Sequence, residues 1–380
     1  MRIAIVAESF LPHTNGVTGS VLRTLAHLRA RGHEAVVLAA GHGAPVEHDG
    51  APVLHLPSLP LPGYPQVRLN IAGHRRVGDL LAAVDPDVVH LAAPMLLGEK
   101  AVRAAAALGL PTVAVFQTDV AAYAERYGFP GWSERVWSRI SDIHEQADLT
   151  LVPSTHYRGE LSRRGVQRIS MWGRGVDHVQ FDPARRSEAM REGWGVEPGE
   201  VVVGYLGRLA PEKQVEDLAV LTDIPGVRLV LVGDGPARAG IAAALPDAVM
   251  AGHLAGDDLG AAVASFDVLV APGESETFCQ SVQEALAAGV PVVAPAAGGP
   301  RDLVDSSRTG WLYAPGDLTG LRSAVVDLVG DERKRQAFGR AARSAVLDRT
   351  WTRIGDELIE HYRWARAHAA DTSSGGTRGR

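Results

Sequence analysis

Cysteine is almost missing from this chain. Cys279 is the one thiol in 380 residues, which excludes an intrachain disulfide framework and a cysteine-built zinc cluster. Lysine is nearly as scarce: Lys100, Lys213 and Lys334 are the only lysines among 38 basic residues, so each lysine marks a departure from the chain's habit of writing arginine. No apolar run reaches the roughly 18–20 residues of a membrane span. There is no basic excess either. A net charge of -6 with pI near 6.2 gives no general attraction to nucleic acid, and no nucleic-acid partner is expected. The phosphate-loop patterns G-x-G-x-x-G and G-x-x-x-x-G-K-[ST] are absent as well.

What remains is an ordinary globular composition, 46% hydrophobic and 22% charged, over a length that suggests two domains. The opening M-R-I-A-I-V-A-E-S-F meets Glu8 too soon for a secretory signal, and a soluble cytoplasmic protein is expected. Short buried-strand patterns alternate with helical patterns along both halves. Residues 2–7, 35–39, 88–91, 111–116, 149–152 and 169–171 read as strands, and residues 20–31, 74–84, 96–108, 132–147 and 155–164 as helices. Residues 42–65, rich in Pro and Gly, read as an irregular surface excursion. The stretch W-G-R-G-V-D-H-V-Q-F-D-P has two glycines and no period, and reads as a hinge. The domain plan is therefore residues 1–171, a hinge at 172–183, a second domain at 184–349, a helix at 350–370 packing back on the first domain, and a disordered tail at 371–380. The expected architecture is α/β: two Rossmann-like, doubly wound domains facing a central cleft, with ligands at the strand ends.

The chemistry concentrates in residues 268–293. A strand runs into a Pro-Gly turn carrying Glu274, Ser275, Glu276 and Thr277, and a helix follows from about Cys279 to Ala288. Unpaired N–H groups at such a helix start suit a phosphate, and carboxylates accept sugar hydroxyls. Glu276 and Glu284, eight apart, would also be unremarkable on a solvated helix face; the strand-turn-helix context favours a ligand, and the combination suggests a nucleotide sugar. The first βα turn of the second half, G-R-L-A-P-E-K, places Arg208 and Lys213 where a diphosphate would need a guanidinium fork and a mobile ammonium. G-D-G-P at residues 233–236 and G-H-L at residues 252–254 close later strands, where glycine lets backbone approach a flat base. In the first half, Gly16 follows the first strand, and Gln117 and Asp119 end another; Asp119 fits a site residue and a helix N-cap equally. Residues 132–147 carry Arg135, Trp137 and Arg139, which fit a membrane-facing stripe or a helix packed on its own sheet.

G-R-L-A-P-E-K, V-G-D-G-P and E-T-F-C-Q-S-V-Q-E-A-L-A-A-G-V-P-V-V, in this order, resemble the retaining GT-B glycosyltransferases of family GT4. The resemblance covers nearly the whole chain. E-S-F-L-P-H-T-N-G-V, F-Q-T-D-V-A-A-Y-A and W-G-R-G-V-D are similar to bacterial GDP-mannose-dependent α-mannosyltransferases that build lipid-linked mannosides. The resemblance implies that Arg208 and Lys213 hold the donor diphosphate, Glu276 binds sugar hydroxyls, and the backbone of Thr277, Phe278, Cys279 and Gln280 lines sugar and phosphate. It implies that Glu284 binds the ribose and that Gly16 closes over the diphosphate. Gly207, Gly233, His253 and Leu254 would complete the donor pocket, and Gln117 and Asp119 would stand on the acceptor side. It implies front-face displacement with no protein nucleophile, no metal and no cofactor beyond the nucleotide sugar; no D-x-D stands where it would suit a metal. The expected acceptor is small or lipid-linked, which would bring peripheral contact with the inner face of the cell membrane through residues 132–139 or near Arg75 and Arg76. Two positions depart from the family pattern: Gln117 stands where many relatives have His, and Cys279 where many have Gly, so that a thiol is expected to narrow the sugar pocket. A UDP-sugar transferase of the same family, a GT-B epimerase using Asp119 and His253, and an idle two-domain binder are the alternatives.

Overall fold

The computed structural model describes residues 1–13, 15–41, 45–61, 64–121, 131 and 133–375. The chain divides into two compact units. One is Met1–Gly173 with the chain from Thr352 onward; the other is Arg174–Trp351.

In the first unit the order is β1 (Arg2–Ala7), α1 (Gly16–Ala30), β2 (Glu34–Ala40), β3 (Glu47–His48), β4 (Ala51–Leu56), β5 (Ser58–Leu61), β6 (Tyr64–Asn70), α2 (His74–Val84), β7 (Val88–Ala92), α3 (Leu96–Leu108), β8 (Thr112–Val115), α4 (Ser133–Gln146), β9 (Leu149–Val152), α5 (Thr155–Arg163) and β10 (Ile169–Met171). The main sheet runs β10-β9-β8-β7-β1-β2-β4-β3, with β3 alone antiparallel. Burial on both faces explains the near-continuous apolar runs of β1, β7 and β8, with His90 the one polar residue inside β7. The chain winds outward from β1 on one side and from β7 on the other, so the carboxyl ends of β1 and β7 form the switch point.

Residues 45–61 differ from the expected surface excursion. β4 pairs in parallel with β2 and buries Ala51, Val53 and Leu56, and β5 and β6 form a hairpin. Pro52 and His55 disguise the alternation; the gap beside β2 supplies pairing partners that local sequence cannot announce.

The final helix, Trp351–Gly375, lies on the first unit. Leu358, Ile359 and Tyr362 enter its core, the Trp172 indole N–H donates to the Ile354 carbonyl at 3.0 Å, and Asp356 receives both arms of Arg31 at 2.7 and 2.6 Å. A disordered tail was expected from residue 371, but the helix runs on to Gly375. No proline interrupts it, and each added residue gains a hydrogen bond.

The second unit contains α6 (Glu188–Gly193), β11 (Val201–Leu206), β12 (Val227–Val232), α7 (Arg238–Ala244), β13 (Val249–Gly252), α8 (Gly256–Ala264), β14 (Val268–Val270), α9 (Gln280–Ala287), β15 (Val292–Pro295), α10 (Pro300–Leu303), β16 (Gly310–Tyr313), α11 (Leu318–Val329) and α12 (Glu332–Val346). Its sheet is wholly parallel in the order β13-β12-β11-β14-β15-β16. The switch point falls between β11 and β14. Residues 174–183, expected as hinge, belong to this unit, because Val176 and Phe181 are buried in its core. The chain passes between units at Gly173/Arg174 and again at Trp351/Thr352.

Candidate active site

The two turns that flank the β11/β14 switch point carry the residues singled out from sequence. After β11 the chain makes Gly207, Arg208 and a single 3-10 turn, Pro211–Lys213, with Gln214 in the left-handed region. Beyond it runs a second 3-10 segment, Val215–Leu221. Close backbone packing holds these turns in place. Gly207 N–H donates to the Val232 carbonyl at 3.0 Å and Gly233 N–H to the Gly252 carbonyl at 2.7 Å. Gly233 sits at φ +143, and a Cβ there would lie 1.8 Å from the Gly207 carbonyl oxygen; no other residue fits. The Tyr205 hydroxyl, kept protonated by burial, donates to the Arg208 carbonyl at 2.9 Å.

Lys213 Nζ lies 2.5 Å from Glu276 Oε1, with the two side chains 21% and 17% exposed. The cation assigned to a diphosphate and the carboxylate assigned to a sugar therefore hold each other across the switch point. Arg208 is half-exposed beside the buried Glu212, at 3.8 Å. Glu274 has a different job from Glu276 despite its identical chemistry. Its N–H donates to Gln214 Oε1 at 3.0 Å and its Oε1 accepts from Gly316 N–H at 2.8 Å, so it fastens the loop. The Glu276 carbonyl accepts from Gly299 N–H at 2.8 Å.

α9 starts after Cys279, which holds φ +71, the region that favours glycine. The N-cap residue Cys279 makes no side-chain cap hydrogen bond, and the N–H groups of this helix start carry the positive end of the helix dipole toward the loop. Cys279 and Phe278 point into the core. Only their backbone can face a ligand, and the expectation that the thiol narrows a sugar pocket gives way to a buried thiol. Burial, with Glu276 adding to it, pushes that thiol up to about 12. Thr277 and Glu284 are half-buried on the same turn and helix. Gln280 is the first residue of α9. His253 is exposed just beyond β13, and Leu254 packs partly against the core.

In the first unit, Gly16 opens α1, but Asn15 already caps it: Asn15 Oδ1 accepts from Val17 N–H at 3.0 Å and Thr18 N–H at 2.9 Å. Two donors that a phosphate would take are thus engaged. Gln117 and Asp119 are buried beyond β8. Asp119 directly precedes helical Val120 and Ala121, the N-cap position, and its Oδ2 accepts from the Tyr157 hydroxyl at 2.9 Å. Asp119 and His253, the acid–base pair an epimerase would require, belong to different units. Trp132 lies outside the described residues. Trp137 stacks on Phe116 at 5.7 Å with the Arg164 guanidinium 4.6 Å above its ring, and Arg139 pairs with Glu99. This stripe packs on its own sheet, and Trp137 is not available to a membrane.

Sequence reasoning missed Glu8. Its Oε1 accepts from the N–H groups of Met95, Leu97 and Gly98 at 2.8, 2.7 and 2.8 Å, closing the start of α3 at the β1/β7 switch point. Burial holds its carboxyl above the usual carboxylate range despite these donors. A carboxylate placed directly at the end of the first strand was the available signal.

This geometry defines a sugar-nucleotide type of site on a twice-repeated doubly wound fold. Comparison with known proteins gives the same answer. Residues 14–180 match Glycosyltransferase Family 4 and residues 186–345 match Glycosyl transferases group 1. The chain is 50% identical over 368 residues, 95% of its length and 97% of the other protein, to a GDP-mannose-dependent alpha-mannosyltransferase of Mycolicibacterium smegmatis. It is 47% identical, over 96% of its length and 97% of the other, to the Mycobacterium tuberculosis protein of the same description. Among solved structures it resembles Anabaena Alr3699/HepE in complex with UDP, with TM-score 0.77 at 21% identity over 95% of this chain and 99% of that one, a likeness that shows the GT-B fold. The chain belongs to glycosyltransferase family 4, and it is a hexosyltransferase.

Proposed function

We propose that this enzyme moves an α-mannosyl group from GDP-mannose, with retention, to a hydroxyl of a lipid-linked or other small acceptor. The observation that carries the donor assignment is the 50% identity, over 95% of the chain, to a protein described as using GDP-mannose. The site supports it. Arg208 and Lys213 supply positive charge to the departing diphosphate, and the uncapped start of α9 offers it N–H donors. Glu276 takes sugar hydroxyls and Glu284 the ribose; Gly207, Gly233, His253 and Leu254 line the donor.

The bond from the anomeric carbon to the β-phosphate oxygen breaks and its electron pair leaves with GDP. The acceptor oxygen bonds to the same face of that carbon, and its proton passes to the departing phosphate oxygen. Lys213 and Glu276, paired without ligand, must separate as the donor enters, each exchanging its partner for a donor group of matching chemistry. No protein nucleophile or metal takes part in this scheme. For a lipid acceptor, the exposed Leu59 and Ile71 with exposed Arg75 and Arg76 form the membrane-touching surface; no helix among the described residues is long and apolar enough to cross a membrane.

Calorimetric titration with GDP-mannose, GDP, UDP-glucose and UDP-GlcNAc, without added metal, tests the donor. Selective binding of the guanosine ligands is expected. Selective uridine binding would keep the site residues and overturn the donor, and no binding would overturn the site.

A further inference from the structure

α9 presents its start to the proposed donor, and along its side it holds the backbone of the first passage between the units and the Arg349 side chain next to the second. Gln280 and Gln283 lie three apart and share a face of the helix. The Gln283 side chain belongs to a residue with 0% exposure. Its Nε2 donates to the Arg174 carbonyl at 2.8 Å and its Oε1 accepts from Arg349 Nη1 at 3.4 Å. Gln280 Nε2 donates to the Gly175 carbonyl at 3.1 Å. Arg174 and Gly175 stand at the first passage, and Arg349 stands two residues before the second.

The two passages are also fastened to each other. Val176 N–H donates to the Arg349 carbonyl at 2.9 Å, and Val176 pairs with Thr350 as a parallel bridge. Gly175 approaches so closely that a Cβ would lie 2.5 Å from the Trp351 Cα. A side-chain amide at 0% exposure carries a desolvation cost that an apolar residue would avoid. Packing alone therefore does not account for Gln283; its two partners do, and they are one from each linker.

We propose that Gln283, assisted by Gln280, is a positioning residue that couples the donor end of α9 to both linkers. A shift of the first turn of α9 on nucleotide binding passes along a rigid helix to the backbone at residues 174–175 and, through Arg349, to residues 349–351. The inference rests on the reading of that helix start as the nucleotide site.

Hydrogen–deuterium exchange of the full chain, with and without saturating GDP, tests it on peptides covering residues 173–176 and 348–352. In the unaltered protein, GDP is expected to change exchange at both. Gln283→Leu is expected to abolish that response and lower kcat about tenfold while keeping GDP affinity within about threefold, a split that a merely structural loss would not produce. A Gln283→Leu protein that retains the linker response, or that loses GDP affinity in step with kcat, overturns the proposal. If thermal melting shows that this variant does not fold, Arg349→Leu, which removes the second-linker partner of Gln283, is read by the same two outcomes. Unaltered protein that binds GDP with no change at the linkers overturns this inference alone; protein that binds neither GDP nor UDP overturns it together with the donor site.

Discussion

Two helices begin at the switch points of two similarly wound sheets, and they are finished differently. α3 starts beside β1 in the first unit, and Glu8 fills its N-terminus with three hydrogen bonds. α9 starts beside β11 in the second unit with no side-chain cap, and Lys213 and Glu276 stand next to it. Asn15 likewise occupies the start of α1. The same backbone arrangement, an anion site by geometry, is filled by Glu8 and Asn15 in the first unit, while in the second the N-cap residue of α9 makes no side-chain cap hydrogen bond. At the starts of α1 and α3 the N–H groups that an anion would take are engaged by Asn15 and Glu8.

The comparison breaks most visibly at the open site. Lys213→Ala is expected to lower kcat/KM about 10²–10³-fold, as loss of one charge-stabilising donor does, with little change in melting temperature; steady-state kinetics and a melt check both parts. An unchanged kcat/KM would leave α9 and Arg208 to carry the diphosphate.

The closed site is expected to answer in stability instead. Glu8→Ala leaves three N–H groups at α3 without their acceptor and should cost about 3 kcal/mol in denaturant unfolding. Glu8→Gln keeps an acceptor oxygen and should cost about 1 kcal/mol. Equal losses would mean that the charge, and not the hydrogen bonding, fills this site.

pH also distinguishes the units. In the first unit, burial lowers His90 to about 4 and His144 to about 3; His90 Nδ1 lies 2.8 Å from the Tyr362 hydroxyl and His144 Nδ1 lies 3.1 Å from Thr150 Oγ1. Below about pH 6.5 the unfolded chain protonates these imidazoles while the folded chain does not. The stability they confer is complete above pH 6.5 and falls as the pH drops toward 4, by at most about 3 kcal/mol for His90. Exchange-monitored unfolding at pH 7 and pH 5 should therefore show the first unit weakening more than the second. Equal weakening would place the sensitive groups elsewhere.

Much of this protein is legible in its sequence. Alternating apolar runs and helical periods point to two βα-repeating halves, because buried parallel strands and amphipathic helices each require their own spacing. Arg208, Lys213, Glu276 and α9 stand out because the turns that carry them use glycine, proline and charge together. β4 is hidden because Pro52 and His55 break its local pattern, and its parallel pairing with β2 appears only in the folded sheet. Glu8 looks like an interruption of an apolar run; its function as a helix plug appears only when β1 and β7 lie side by side. Gln283 leaves no trace, since an amide in an alanine-rich helix looks like a surface residue until its burial is known.

The sequence by itself determined the fold class, the donor-type motifs and the choice of lysine where arginine is the rule, since these depend on residue type and short spacing. Tertiary structure alone decided which helix start stays open, that Glu274 fastens the loop while Glu276 meets Lys213, and that the Cys279 thiol turns inward. Those distinctions depend on which N–H groups and carboxylates the folded chain brings within hydrogen-bond distance, and residues of identical chemistry differ there only by their neighbours.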